Sequence, residues 1–214
     1  MMAKEFRRFA YLVAQENITS KTLEKLTSER FQKELKNSGI QSLEIYEKSP
    51  NYFFLVDGEP YLNNSKVEEV FSTDFAELFP LERIYEFEQA AVYNAYDGQL
   101  KNANGKIKRF VWTLLLQEDE TLIEEYKEVH SMGKAWPEIT NNMRLVGVKD
   151  MEIYLSGTQA ILIMDTKPDF NLDEVGPKWQ KLPREEEWQA YVAKFQRTDP
   201  NSSIQEKWQD MRQL

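Results

Sequence analysis

Gly147-Val148-Lys149-Asp150-Met151-Glu152-Ile153-Tyr154 has a counterpart far upstream in Gly39-Ile40-Gln41-Ser42-Leu43-Glu44-Ile45-Tyr46. Each stretch opens on glycine and closes on Glu-Ile-Tyr. Each then runs into a short apolar segment, Ala160 to Met164 (AILIM) in one case and Tyr52 to Val56 (YFFLV) in the other. The flanking pieces repeat as well. Arg109-Phe110-Val111-Trp112-Thr113-Leu114 matches Arg8-Phe9-Ala10-Tyr11-Leu12-Val13, and an acidic stretch of helical character follows both. Self-similarity over a fixed order of pieces marks a repeated structural unit. The sequence therefore predicts two copies of one module, residues 1–98 and 106–214.

In the second copy, short apolar runs bounded by Gly, Asn and Ser predict strands near Arg109–Gln117, Met151–Leu155 and Ala160–Asp165, with a last one near Glu206–Leu214. Apolar residues at helical spacing predict helices over Leu122–Val146 and Glu185–Gln196. The polar, glycine-punctuated Asp97 to Gly105 (DGQLKNANG) reads as the linker. A β-α-β-β-α-β order is the ferredoxin-like plan. Such a sheet has one helix-covered face and one bare apolar face, and two bare faces placed together bury what each exposes. The expected fold is thus α+β: two tandem ferredoxin-like modules forming an intramolecular dimeric α+β barrel, a pseudo-dimer within one chain.

Hydrophobic residues make up 41% of the 214 positions and aromatics 13%, enough for real cores. The formal net charge of −9 argues against a grip on phosphate backbones and against docking on an anionic membrane. A neutral or cationic small molecule is the expected partner, with neither nucleic acid nor membrane. Cysteine is absent, which excludes disulfide scaffolds, thiolate metal sites and thiol nucleophiles together. Met1 to Val13 carries Lys4, Glu5, Arg7 and Arg8, leaving too short an apolar run for a signal segment, and no window offers the roughly 18 uncharged apolar residues of a bilayer span. A cytoplasmic location is the expectation.

The copies differ most between the first strand and the glycine. Glu118 to Gly147 spans 30 residues, whereas Glu16 to Gly39 spans 24. The surplus falls around His130-Ser131-Met132-Gly133-Lys134-Ala135-Trp136-Pro137-Glu138, and His130 is the only histidine. Tyr126 lies four residues before it, so the two side chains project side by side on a helix. The helix should break near Gly133 and restart at Trp136-Pro137, where proline suits a first turn. Histidine gives or takes a proton near neutral pH, and a neighbouring phenol can orient a hydroxyl-bearing ligand. A lone His with Tyr at this spacing is also a common structural pair. Taken singly, Trp136 and Trp188 read as core, and Glu185-Glu186-Glu187 as a solvated helix start. One histidine without cysteine cannot supply the usual zinc set, and neither a phosphate-binding P-loop nor a Gly-x-Ser-x-Gly elbow is present.

Lys108 to Leu214 resembles the L-rhamnose mutarotase family. The matching features are Lys108-Arg109-Phe110, Tyr126-x-x-x-His130, Trp136-Pro137-Glu138-Ile139, Gly147, Met151-Glu152-Ile153-Tyr154, Trp188 and Glu206-Lys207-Trp208. The resemblance implies exchange of the α and β anomers of L-rhamnose or a similar 6-deoxy hexose by acid–base ring opening, with no metal, cofactor or covalent nucleophile. It implies His130 as proton donor and Tyr126 as its catalytic companion, with Trp136, Glu138, Tyr154 and Trp188 binding substrate. It also implies dimers of ferredoxin-like subunits. Two departures stand out: His130 and Trp136 are six residues apart where typical members have four, and Met151 stands where some members carry a sugar-contacting tyrosine. The first copy has no histidine and no Trp-Pro-Glu; it keeps Tyr46, with Tyr85 roughly where Trp188 lies, as expected of a degenerate structural partner. Two rival expectations are a non-catalytic carbohydrate-binding or regulatory protein and an oxygenase-type dimeric barrel with His130 as axial ligand. The second is disfavoured because no basic cluster is evident to hold such a cofactor.

Overall fold

The structure, a computed structural model, describes residues 5–72, 78–87, 94–197 and 207–214. Its contacts divide the chain into two units, and both are α+β with antiparallel strand pairing.

The first unit comprises residues 1–82, 93–104 and 211–214. Its strands are β1 (Glu5–Ala14), β2 (Ile40–Lys48), β3 (Asn51–Gly58) and β4 (Phe79–Pro80). Its helices are α1 (Ser20–Thr27), α2 (Glu29–Asn37) and α3 (Asn64–Phe71). Thr19, Ser28 and Asn63 cap these helices, each side chain accepting from the backbone N–H three residues on. Alternate residues of β1, Phe9, Tyr11 and Val13, share one core with Leu26, Phe31, Leu35 and Val67.

The second unit comprises residues 83–92 and 105–210. Along the chain it contains β5 (Glu82–Glu86) and, after β6 (Gln99–Asn102) of the first unit, β7 (Lys108–Leu115), α4 (Glu120–His130), α5 (Pro137–Val146), β8 (Val148–Ser156) and β9 (Gln159–Thr166). It ends with α6 (Leu172–Trp179), α7 (Glu185–Ala193) and β10 (Gln209–Asp210). The sheet order is β10-β7-β9-β8-β5. Phe110, Trp112, Met151, Ile153, Leu162 and Met164 form one packed face. Side chains alternate along a strand, so Glu152 and Tyr154 belong to the other face.

Several details recur between the units. Arg8 stands opposite Asp57 and Arg109 opposite Asp165, each guanidinium giving two hydrogen bonds to its carboxylate. The register slips between Ile40 and Ser42, and again between Val148 and Asp150. The Tyr46 hydroxyl donates to Glu44, and that of Tyr154 to Glu152 at 2.7 Å. Gly39 and Gly147, with φ of 84° and 104°, both take the left-handed turn into the following strand.

The helical stretch Leu122–Val146 divides around Gly133 as expected, into α4 and α5 with Pro137 at the first position of α5. Three other features depart from the expectations. Helix α6 escapes pattern reading because Gly176 and Pro177 sit inside it. The stretch read as linker holds β6, paired with Glu5–Arg8. Its polarity is inverted, Gln99 and Lys101 being buried while Leu100 is 45% exposed. The last strand is two short ones: β10 joins β7, whereas β11 (Arg212–Gln213) joins β2. Glu206 lies outside the described residues. Among the described residues no helix is long and apolar enough to cross a membrane.

Candidate active site

Helix α4 starts where Asp119 accepts from the backbone of Thr121 and Leu122. It ends on His130, one turn beyond Tyr126. The ring centroids of the two are 4.3 Å apart. His130 Nδ1 lies 2.7 Å from the Tyr126 carbonyl oxygen. A carbonyl only accepts, so Nδ1 carries the proton and Nε2 keeps its lone pair. Burial pushes the imidazole pKa down to about 4, the bond to Tyr126 opposing this in part. At neutral pH the ring is therefore an uncharged proton acceptor. It becomes a donor only after taking a proton, which qualifies the donor role implied by the family resemblance.

The six-residue step from His130 to Trp136 is absorbed by a turn. Lys134 N–H donates to Ser131 O at 3.0 Å, and Gly133 takes φ of 77° in open space. Trp136 then packs 5.3 Å from Trp188 and stacks on Tyr191 at 5.9 Å. Trp188 in turn lies 5.5 Å from His130. The guanidinium of Arg184 sits 4.0 Å above the Trp136 ring and bridges to Glu138 and Glu187.

These groups border a cavity of about 320 Å³, at the lower end of the usual range of ~300–1,000 Å³ for small-molecule sites. All five tryptophans of the chain, Trp112, Trp136, Trp179, Trp188 and Trp208 included, line it. Tyr126 and His130 line it too, as do Tyr85, Thr140, Glu185, Gln189 and Gln196. Among the described residues its carboxylates are Asp173, Glu185 and Asp210, and no lysine or arginine is in its wall. The Tyr126 phenol is driven upward in pKa by burial, and that of Tyr85, also buried, reaches about 12, so both are neutral donors. Gln196 Oε1 is buried without a hydrogen-bond partner. Among the described residues no group of three or more His, Asp or Glu side chains is arranged to hold a metal.

Of the residues singled out from sequence, Tyr126, His130, Trp136 and Trp188 converge on the cavity. Glu138 and Tyr154 do not. Glu138 is on the outer side of α5 with its side chain 43% exposed, and it holds Arg184 against Trp136 rather than touching the cavity. Tyr154 is one residue out of phase with Ile153, which puts its buried hydroxyl on Glu152. Other wall residues were missed, Trp112, Trp179, Trp208, Tyr85, Glu185 and Gln196 among them. Tyr85 is on β5 and its ring lies 6.1 Å from His130, so it is a wall residue, not the counterpart of a helical tryptophan. Glu185 is 4% exposed, not solvated. Gln196 follows α7. One signal was available: all the tryptophans fall after residue 108.

A model of the L-rhamnose mutarotase family matches residues 109–214. The C-terminal half of the chain belongs to that family. Two relatives agree with the match. An L-fucose mutarotase of Xanthomonas campestris pv. campestris is 28% identical over 104 residues, covering 49% of this chain and 83% of the relative. A protein of Dictyostelium discoideum is 32% identical over 108 residues, covering 49% and 85% respectively. Among solved structures, a proposed monooxygenase from Lactobacillus acidophilus NCFM aligns over 98% of this chain and 94% of its own, with a TM-score of 0.50 and 9% identity. At that identity the likeness bears on the fold alone. Membership of the L-rhamnose mutarotase family supports sugar mutarotation, an isomerase chemistry, as the general activity of the C-terminal half.

Proposed function

We propose that the second unit interconverts the α and β anomers of a neutral 6-deoxy hexose such as L-rhamnose or L-fucose, with no bound cofactor. The observation that carries this is the pairing of an uncharged His130, its Nε2 free, with a cavity walled by five tryptophans. The C1 hydroxyl gives its proton to Nε2, the bond from C1 to the ring oxygen breaks, and the ring oxygen gains a proton. Rotation about the C1–C2 bond and the reverse transfers close the ring on the other face. The wide apolar walls suit the methyl-bearing face of a deoxy sugar, while the few polar groups fix its hydroxyls. The Tyr126 phenol, a neutral donor, orients the hydroxyl beside His130. We also propose that the first unit is a diverged copy of the same module. The recurring Arg–Asp pair, Tyr–Glu pair, strand slip and turning glycine support this.

NMR saturation transfer between the anomeric protons of L-rhamnose, L-fucose and D-glucose tests the assignment. Transfer above the buffer rate is expected for the 6-deoxy sugars. A binding protein without turnover would shift the sugar signals and leave the exchange rate at that of buffer, which would defeat the enzymatic assignment.

A further inference from the structure

We propose that Glu185 is the acid that delivers a proton to the ring oxygen while His130 takes the proton of the anomeric hydroxyl. This rests on the mutarotase assignment and adds the second proton carrier that ring opening requires.

The position of Glu185 is built with unusual care. Arg184, just before it, has φ of 64°, the one positive value among the described non-glycine residues. Such a backbone is strained for a residue with a side chain and persists where surrounding structure enforces it. Here the Arg184 side chain is held over Trp136 and between Glu138 and Glu187. The turn leaves Arg184 outside and sends the next side chain inward. The Glu185 carboxyl is then fixed by one oxygen: Oε1 accepts from Asn142 Nδ2 at 3.0 Å and from Trp179 Nε1 at 2.9 Å. Asn142 is itself anchored by donating to Pro183 O at 2.9 Å. Two donors on Oε1 leave Oε2 as the oxygen that can carry a proton towards a ligand.

Burial raises the Glu185 pKa, with the bonds from Asn142 and Trp179 opposing it, and lowers that of His130. The low-dielectric cavity thus favours both uncharged forms. Both shifts run in the direction that suits the carboxyl to the role of acid and the imidazole to that of base. Ring opening converts Glu185–COOH and neutral His130 to carboxylate and imidazolium, and closure restores them. Protons and charge balance without any other reactant.

Glu185→Gln tests this. Gln keeps an oxygen for Asn142 and Trp179 but cannot give up a proton. Sugar affinity, read by tryptophan fluorescence, should stay within about three-fold, while anomer exchange falls by the roughly 10²–10⁴ of one acid–base group. Glu185→Asp retracts the carboxyl by one methylene and should slow exchange at least ~10-fold at similar affinity. Exchange at the wild-type rate in either variant overturns the proposal. So does a parallel loss of binding and exchange in a folded Glu185→Gln protein, since that would make Glu185 a sugar anchor only. If the wild type itself fails to exchange anomers, the mutarotase assignment fails first, whatever Glu185 does.

Discussion

His130 Nδ1 donates to the main-chain oxygen of Tyr126, one turn back along α4, and this contact decides which of the two ring nitrogens is available to a ligand. The acceptor belongs to the helix backbone, so it moves only if α4 does. Tautomer and ring orientation are consequently set together, while burial, which that bond opposes in part, is what keeps the ring weakly basic. The ring is also flanked by Tyr126, Trp188 and Tyr85 at centroid distances of 4.3, 5.5 and 6.1 Å, which keep water from charging it.

Replacing His130 by Gln keeps a hydrogen-bonding side chain but removes the titratable group. Anomer exchange should drop by about 10²–10⁴ with sugar affinity nearly unchanged. Tyr126→Phe should cost less, because the phenol orients and does not ionise. Saturation transfer at several protein concentrations measures both, and a Tyr126→Phe loss as large as that of His130→Gln would mean the phenol carries a proton.

Stability should depend on pH through the same ring. Unfolded His130 binds a proton below about 6.5, whereas the folded ring resists until about 4. The unfolded state therefore holds more protons in this window, and stability is lost as pH falls from 6.5 to 4. The full difference is roughly 3 kcal/mol at about 1.4 kcal/mol per pH unit. Glu185, with its raised pKa, contributes in the opposite sense. Urea titrations of wild type and His130→Gln across pH 4–7 isolate the histidine part; parallel curves would contradict it.

Gln196 offers a trade of stability against binding. A buried acceptor with no partner costs about 1–3 kcal/mol, so Gln196→Leu should raise the unfolding free energy by about 1 kcal/mol. If a sugar hydroxyl donates to Oε1, the same change should weaken affinity several-fold. Thermal unfolding and fluorescence titration read the two effects, and unchanged affinity would exclude that contact.

Charge should discriminate among sugars. Among the described residues the cavity wall contains Asp173, Glu185 and Asp210 and no lysine or arginine. A phosphorylated or carboxylated 6-deoxy hexose would lose its hydration without gaining a counter-charge. Its binding should fall at least ~100-fold below that of the neutral sugar, a gap of about 2.7 kcal/mol. Equal fluorescence quenching by L-rhamnose and L-rhamnose 1-phosphate would contradict this.

The core of the site was readable from residue order because it depends on local geometry. Tyr126 and His130 meet through helical spacing, and Pro137 restarts the helix that carries Trp136 inward. Strand alternation also held the answer for Tyr154: if Met151 and Ile153 face the cavity, Tyr154 cannot. Glu185 was not readable. A glutamate opening a Glu-Glu-Glu run looks solvated, and only the left-handed turn at Arg184 reverses that. Tyr85 depends on which sheet β5 enters, a long-range pairing that no local pattern encodes. Strand β6 hid behind buried polar and exposed apolar side chains, the inverse of the usual alternation.

Strand β5 is written before the linker region but folds with the second unit, and β11 is written last but folds with the first. The sequence repeat and the folded units are therefore cut along different lines. A recombination event that carried only residues 109–214 into another gene would take His130 and all five tryptophans with it but leave Tyr85 behind. It would also strip an edge from one sheet and export a strand whose pairing partner had stayed in the original gene.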